Sequence, residues 1–339
     1  MARKTDATRR TIRGILRRYL SGRVRRRAAG ASTTLAALLG AAEPARAYDL
    51  PNLNLGFTSF LDGAPPSGPG WYPTQYLQVY SAGRLTDNRG RSLGLPRQDV
   101  SVLASLTQLL YVSPVKVGPG ALGLDIILPA IPYSSTDDGL NGAALKAQQG
   151  FGDLLIGPFI QFDPIMGEKG PDFLGRFEAQ MILPTGRYDP TAAVTPGSNY
   201  FSFNPYVAGT LFLTPDWTVS ARFHYLWNAS NDRPNVGFGP TVFSTQAGQA
   251  LHANFASEYS VTKELKLGVN GYWLQQISDT LANGVAVPGR RERVFALGPG
   301  ALWALNKDNF LFFNAYYEFG AQNRPEGQRY TMRWVGHFN

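Results

Sequence analysis

The chain is 339 residues long, contains no cysteine, and is only 17% charged, below the roughly 25% usual for soluble domains. Its formal charge of +8 is local: residues 1–47 hold 12 of the 32 basic residues and two of the 24 acids, leaving 20 basic against 22 acidic residues, a net −2. That distribution argues against nucleic-acid binding by the body, and the lack of cysteine removes disulfide scaffolds, thiolate metal sites and cysteine nucleophiles.

Residues 1–47 read as an export signal. A basic region ending in Arg25-Arg26-Arg27 precedes the apolar run Ala28 to Ala42, and Ala45-Arg46-Ala47 supplies an A-x-A cleavage pattern, which places the mature start near Tyr48. The run is too short and too alanine-rich for a spanning helix. The basic region is long for a signal, and a start at Val24 would leave a leader of ordinary proportions. Residues 48–75 are irregular and rich in Pro and Gly, and read either as a lumen plug or as a tail.

From residue 76 to 339 the pattern changes to segments of about ten residues in which apolar and polar positions alternate. Successive strand residues point to opposite faces, so this is the pattern of a transmembrane β-barrel with one face in lipid. Phe173, Phe177, Ala179, Met181 and Leu183 oppose Arg176, Glu178 and Gln180; Val219, Ala221, Phe223, Tyr225 and Trp227 oppose Ser220, Arg222 and His224. Twelve strands are expected, near 76–81, 99–111, 117–129, 151–162, 172–183, 202–213, 218–228, 249–259, 265–276, 293–303, 310–319 and 329–338. The segment 99–111 alternates poorly.

The joins support an antiparallel barrel. Ser113-Pro114, Thr214-Pro215-Asp216, Thr262-Lys263-Glu264 and Asn306-Lys307-Asp308 are short, Asp163 to Pro171 is longer, and most joins at the other end are long loops. Short periplasmic turns and long extracellular loops are the arrangement of an outer-membrane barrel, and an even strand number returns both termini to the periplasm. The last strand alternates Tyr330, Met332, Trp334, Gly336 and Phe338 with polar residues, resembling the terminal strand that the barrel-assembly machinery recognises, although Asn339 follows Phe338.

Several motifs occur together: Asn54 to Gly63 with Pro65-Pro66 and Gly70-Trp71-Tyr72, Gly150-Phe151-Gly152-Asp153-Leu154 with Gly157-Pro158, Ile182-Leu183-Pro184-Thr185-Gly186-Arg187-Tyr188-Asp189, and Gly197 to Pro205. As a set they resemble the outer-membrane family named for the meta-pathway of phenol degradation. The resemblance implies a barrel in the outer membrane of a Gram-negative bacterium that passes small hydrophobic or aromatic compounds. The family name itself fixes no substrate.

Alternation assigns Arg176, Glu178, Gln180, Arg222, His224, His252, Asn254, Glu258, Asn270, Tyr272, Asn314, Tyr316, Glu318 and Arg333 to the lumen as constriction candidates. Tyr206, Phe212 and Phe312 join Tyr272 and Tyr316 in an aromatic lining that suits a solute able to slide on rings. The expected partners are outer-membrane lipid and lipopolysaccharide, the assembly machinery and a small hydrophobic or aromatic solute, with no nucleic acid and no cofactor. The competing readings are a general diffusion porin, a lipid-modifying enzyme and a structural barrel. For an enzyme, His252, Ser260 and Glu264 have a suggestive spacing, but no G-x-S-x-G elbow is present. No metal or catalytic site is expected.

Overall fold

A computed structural model describes residues 49–65 and 68–338; the export leader, the Val24 start and Asn339 lie outside them. Twelve strands close into an antiparallel barrel: β1 (Gly70–Leu85), β2 (Asp99–Val117), β3 (Gly120–Asp137), β4 (Leu154–Phe162), β5 (Gly170–Glu178) and β6 (Tyr206–Thr214). They continue as β7 (Trp217–Asn228), β8 (Ala250–Ser260), β9 (Leu265–Gln276), β10 (Arg293–Asn306), β11 (Asn309–Gln322) and β12 (Pro325–Gly336). Each pairs with its chain neighbours, and β12 returns to β1 with Arg333 opposite Tyr76. Closure leaves the sheet without an edge, as lipid requires.

The outer surface is apolar and the inner one largely polar, the reverse of a soluble fold. Leu77, Val79, Val207, Leu211, Phe223, Leu267, Val269, Phe313 and Met332 are exposed, whereas Gln78, Ser220, Arg222, Asn254 and Asn270 are buried. Trp71, Trp217, Tyr259, Trp303 and Phe338 are exposed near the end of the barrel that carries the short turns, which suits an interfacial girdle. Among the described residues no helix is long and apolar enough to cross a membrane.

All twelve expected strands are present, with three joins redrawn. Ser113-Pro114 is not a turn: β2 runs through it with a register shift between Val112 and Lys116, and the chain reverses at Gly118-Pro119, where Gly118 has φ +58°. The join Asp163 to Pro171 is itself a hairpin, because Ile165–Gly167 pairs with the start of β5. The loop expected at 320–328 shrinks to Asn323-Arg324, since β11 and β12 extend towards each other. Likewise β1 starts at Gly70 rather than residue 76.

The ladder is interrupted where proline or a packed side chain removes a pairing group. Gly157-Pro158 in β4 faces a gap between β5 and its continuation Met181–Leu183, and Asn204-Pro205 separates Ser202–Phe203 from β6. Proline cannot donate to the ladder. Gly157 is required for a further reason: a Cβ there would lie 2.3 Å from Oε1 of Glu178.

The strand termini Gly70 and Gly336 both lie at the turn end, as expected, but the described N-terminal residues do not stay there. Asp49 sits at the loop end, hydrogen-bonded to Thr280 and Arg290 in the join between β9 and β10. From it the segment 49–65 descends through the lumen, burying Leu50, Leu55, Phe57 and Phe60, and reaches the turn end before β1 begins.

Candidate functional site

The segment is held mainly by the wall formed by β6 to β12. Arg222 of β7 makes a bidentate pair with Asp62, at 2.9 and 2.6 Å, and Arg290 a second with Asp49, at 2.8 and 2.5 Å. Between these ends, Asn254 Oδ1 accepts from the backbone N–H of Gly56 at 2.8 Å and its Nδ2 donates to the Asn54 carbonyl at 2.7 Å. Thr331 donates to the Gly56 carbonyl, Glu258 accepts from the Leu61 N–H, and Thr210 accepts from the Gly63 N–H. Irregular backbone buried away from water must have its polar groups satisfied, and these wall residues do so. Gly56 adopts φ +74°, and a Cβ there would lie 2.9 Å from the Tyr316 ring.

The fourteen lumen candidates are all inward and buried. Arg222, Asn254 and Glu258 grip the segment, as above. Arg176 donates to Gln161 at 3.0 Å and lies 4.3 Å over the Phe159 ring, and Glu178 accepts from Tyr206 at 2.5 Å and from Gln180 at 3.2 Å. His224 and His252 are direct cross-strand partners whose rings stack at 4.1 Å, and His252 Nε2 is 3.0 Å from Asn204 Oδ1. Glu318 accepts from Tyr272 at 2.6 Å and from Tyr80 at 2.8 Å; Asn270 donates to the Ala315 carbonyl, and Asn314 and Tyr316 are buried beside it.

The aromatic lining does not present open rings. The Arg222 guanidinium covers Tyr206 at 4.1 Å and that of Arg333 covers Phe312 at 3.6 Å, while Tyr272 and Tyr316 pack on each other with ring centroids 5.2 Å apart. Nor do the three residues weighed for an enzyme converge: Ser260 accepts from Lys266 and Glu264 pairs with Thr262 at the turn end of β8, eight extended residues from the His252–Asn204 contact.

The open space lies on the other side of the segment. A cavity of about 190 Å³ separates it from the wall of β1 to β4; Phe57, Tyr76, Val102, Leu106, Ile127, Leu155 and Ile182 give it an apolar side, and Gln78, Gln148, Asp153, Glu292, Arg324 and Arg329 supply polar groups. A volume of ~150 Å³ is enough to accept a benzene-sized ligand. A second cavity, of about 90 Å³, lies nearer the turn end and is lined by Phe60, Tyr72, Leu110, Leu302 and Phe312 with Arg176, Arg222 and Arg333. Of the fourteen candidates only those three arginines, Arg176, Arg222 and Arg333, touch either cavity. The apolar lining was missed because the candidates were selected for polarity. Its signal was the poor alternation of 99–111, where the inward Val100, Val102, Ala104, Leu106 and Leu110 are as apolar as a lipid face.

The family described as "Putative MetA-pathway of phenol degradation" matches residues 82–334. Among solved structures, the COG4313 outer membrane channel from Pseudomonas putida F1 is similar over 85% of this chain and 100% of its own, at 17% identity and a TM-score of 0.70, which establishes the common barrel fold. The Ralstonia pickettii toluene transporter TbuX is a more distant likeness, 11% identical over 82% of this chain and 91% of its own, with a TM-score of 0.39. No curated protein matches the sequence.

Proposed function

The chain belongs to that family, and we propose that it is an outer-membrane channel for the passive uptake of small hydrophobic or aromatic compounds. The turn end faces the periplasm and the loop end the exterior of a Gram-negative cell. Lipid and lipopolysaccharide surround the apolar outer band, and the barrel-assembly machinery engages the last strand through Phe338, which is exposed and hydrogen-bonded to Trp71. The role is that of a conduit, not an enzyme.

One observation carries this reading: a mainly apolar cavity of about 190 Å³ inside a closed barrel, large enough for a monocyclic ring. A general diffusion porin needs a continuous water-filled lumen, whereas here the segment 49–65 occupies it. The charged candidates then act less as an ion filter than as parts of the wall, where Arg222 and Glu258 hold the segment.

The test is planar-bilayer conductance of refolded residues 48–339 with and without phenol. Small conductance that flickers or falls when phenol is added is expected. A large, steady conductance indifferent to phenol would establish the porin instead.

A further inference from the structure

Among the described residues, Tyr76 is the only one that lines both cavities. Against it stands Phe57 of the segment, edge-on, with ring centroids 5.7 Å apart and an interplanar angle of 83°. Both rings are buried, packed with Ala104, Leu106 and Ile131. The two rings differ in freedom. Tyr76 is fixed, because its hydroxyl donates to Gln108 Oε1 at 2.7 Å and Gln108 in turn donates to both oxygens of Asp125. The Phe57 side chain has no polar atom, and apart from Tyr76 its packing partners Ala104, Leu106 and Ile131 are small or aliphatic. Its backbone neighbour Gly56 is held on both sides, by Asn254 and Thr331.

Building on the channel reading, we infer that Phe57 and Tyr76 form the gate between an outer and an inner binding site, and that solute passes along the β1–β3 wall while the segment stays docked. Rotation of one phenyl ring joins the cavities and breaks no hydrogen bond. Withdrawal of the segment would instead require breaking two bidentate ion pairs, one at each end. Such a gate admits flat monocyclic solutes and excludes bulky ones, because only the width of a ring is released. The inner cavity then receives the solute beside Arg176, Arg222 and Arg333, which suits an aromatic ring bearing a hydroxyl.

The absence of cysteine allows a clean test. Asp49→Cys and Arg290→Cys, bridged at the loop end by a short bifunctional methanethiosulfonate, tie the segment at residue 49, while Gly70 is already built into β1 at the opposite end. A segment tied at both ends of the barrel cannot leave. Uptake of radiolabelled phenol is measured in porin-deficient cells expressing the full chain. The tethered protein should carry phenol within about twofold of the untethered one, tethered Phe57→Ala should carry it several-fold faster, and tethered Phe57→Trp several-fold slower. Loss of uptake on tethering, restored by reducing the bridge, would show that the segment must move and would overturn the gate. Uptake indifferent to Phe57 substitution would place the passage elsewhere, overturning the gate while the channel stands. If the untethered wild type carries no phenol, the channel reading fails and the gate with it.

Discussion

The two sides of the lumen are built on opposite chemistry. The wall from β6 to β12 meets the segment with directional contacts: a buried Arg222–Asp62 pair, the two-way amide of Asn254, and the carboxylate of Glu258. The wall from β1 to β4 makes two directional contacts with the segment, from the amides of Gln78 and Gln161 to the Leu55 and Gly63 carbonyls, and otherwise presents Val102, Leu106, Ile127 and Leu155, which hold nothing in a fixed orientation. The first fixes a chain in place. The second offers surface on which a small apolar solute gains free energy in proportion to the area it covers, wherever it sits. Passage requires binding that is favourable but not specific to one position, so the difference assigns retention to one wall and transit to the other.

The strongest way to break this comparison is Arg222→Ala. It strands the buried Asp62 carboxylate, and removing one partner of a buried pair costs about 3–5 kcal/mol. Amide hydrogen exchange across 50–63 should rise steeply and bilayer conductance should increase as the lumen opens. Replacing both partners by apolar residues of similar volume, Asp62→Leu with Arg222→Met, should restore most of the protection. If the single variant leaves exchange unchanged, the polar wall does not retain the segment.

The apolar wall is tested by a smaller change. Val102→Thr alters shape little but places on the cavity wall a hydroxyl that a bound apolar solute would strip of water, and an unpaired polar group costs about 1–3 kcal/mol. Affinity for a monocyclic aromatic should fall about tenfold, with exchange of the segment unaltered. A matching rise in exchange would show that the two walls are not independent.

The sequence exposes the retaining wall far better than the transit wall, for a physical reason. In β7 and β8 the lumen residues are Arg222, His224, His252 and Asn254 against Phe223, Tyr225 and Leu251 outside, so polarity and direction coincide and strand and face are read together. In β2 both faces carry aliphatic residues, and Ser105 and Thr107 point outward, each hydrogen-bonded to Gln75 of the neighbouring strand. Alternation therefore fades where the lumen is apolar. The placement of the segment was not readable either. Its anchors, Asp49 with Arg290 and Asp62 with Arg222, are separated by 241 and 160 residues, and nothing local marks them as pairs. Gly320, Asn323 and Gly327 are poor strand formers, so the sequence does not signal the extension of β11 and β12 to a two-residue turn. Gly320 and Asn323 do take positive φ, but they do so at the very end of the hairpin.

The weakest expected effect lies at the loop end, where two carboxylates respond to pH in opposite senses. Glu292, in the join between β9 and β10, accepts from the N–H groups of Asp49 and Leu50. Burial pushes its carboxyl up to about 7, against the pull of the Arg324 guanidinium. A carboxyl raised in the folded state adds stability that is complete below its unfolded value of about 4.5 and is lost as pH rises through 7. Relative to the intrinsic, base-catalysed exchange rate at each pH, the end of the segment should accordingly be better protected at pH 5 than at pH 8, and Glu292→Gln should flatten that difference. Asp138, which opens the join between β3 and β4, is the converse. Burial raises its carboxyl, but the N–H groups of Ala144, Leu145, Leu140 and Gly142 outweigh it and hold it at about 2. Its contribution is present above about 3.8 and lost as pH falls towards 2. Acidification from pH 8 should thus first tighten the segment and only below pH 4 loosen the β3–β4 loop. A single transition common to both regions would mean that the loop end responds to net charge and not to these two groups.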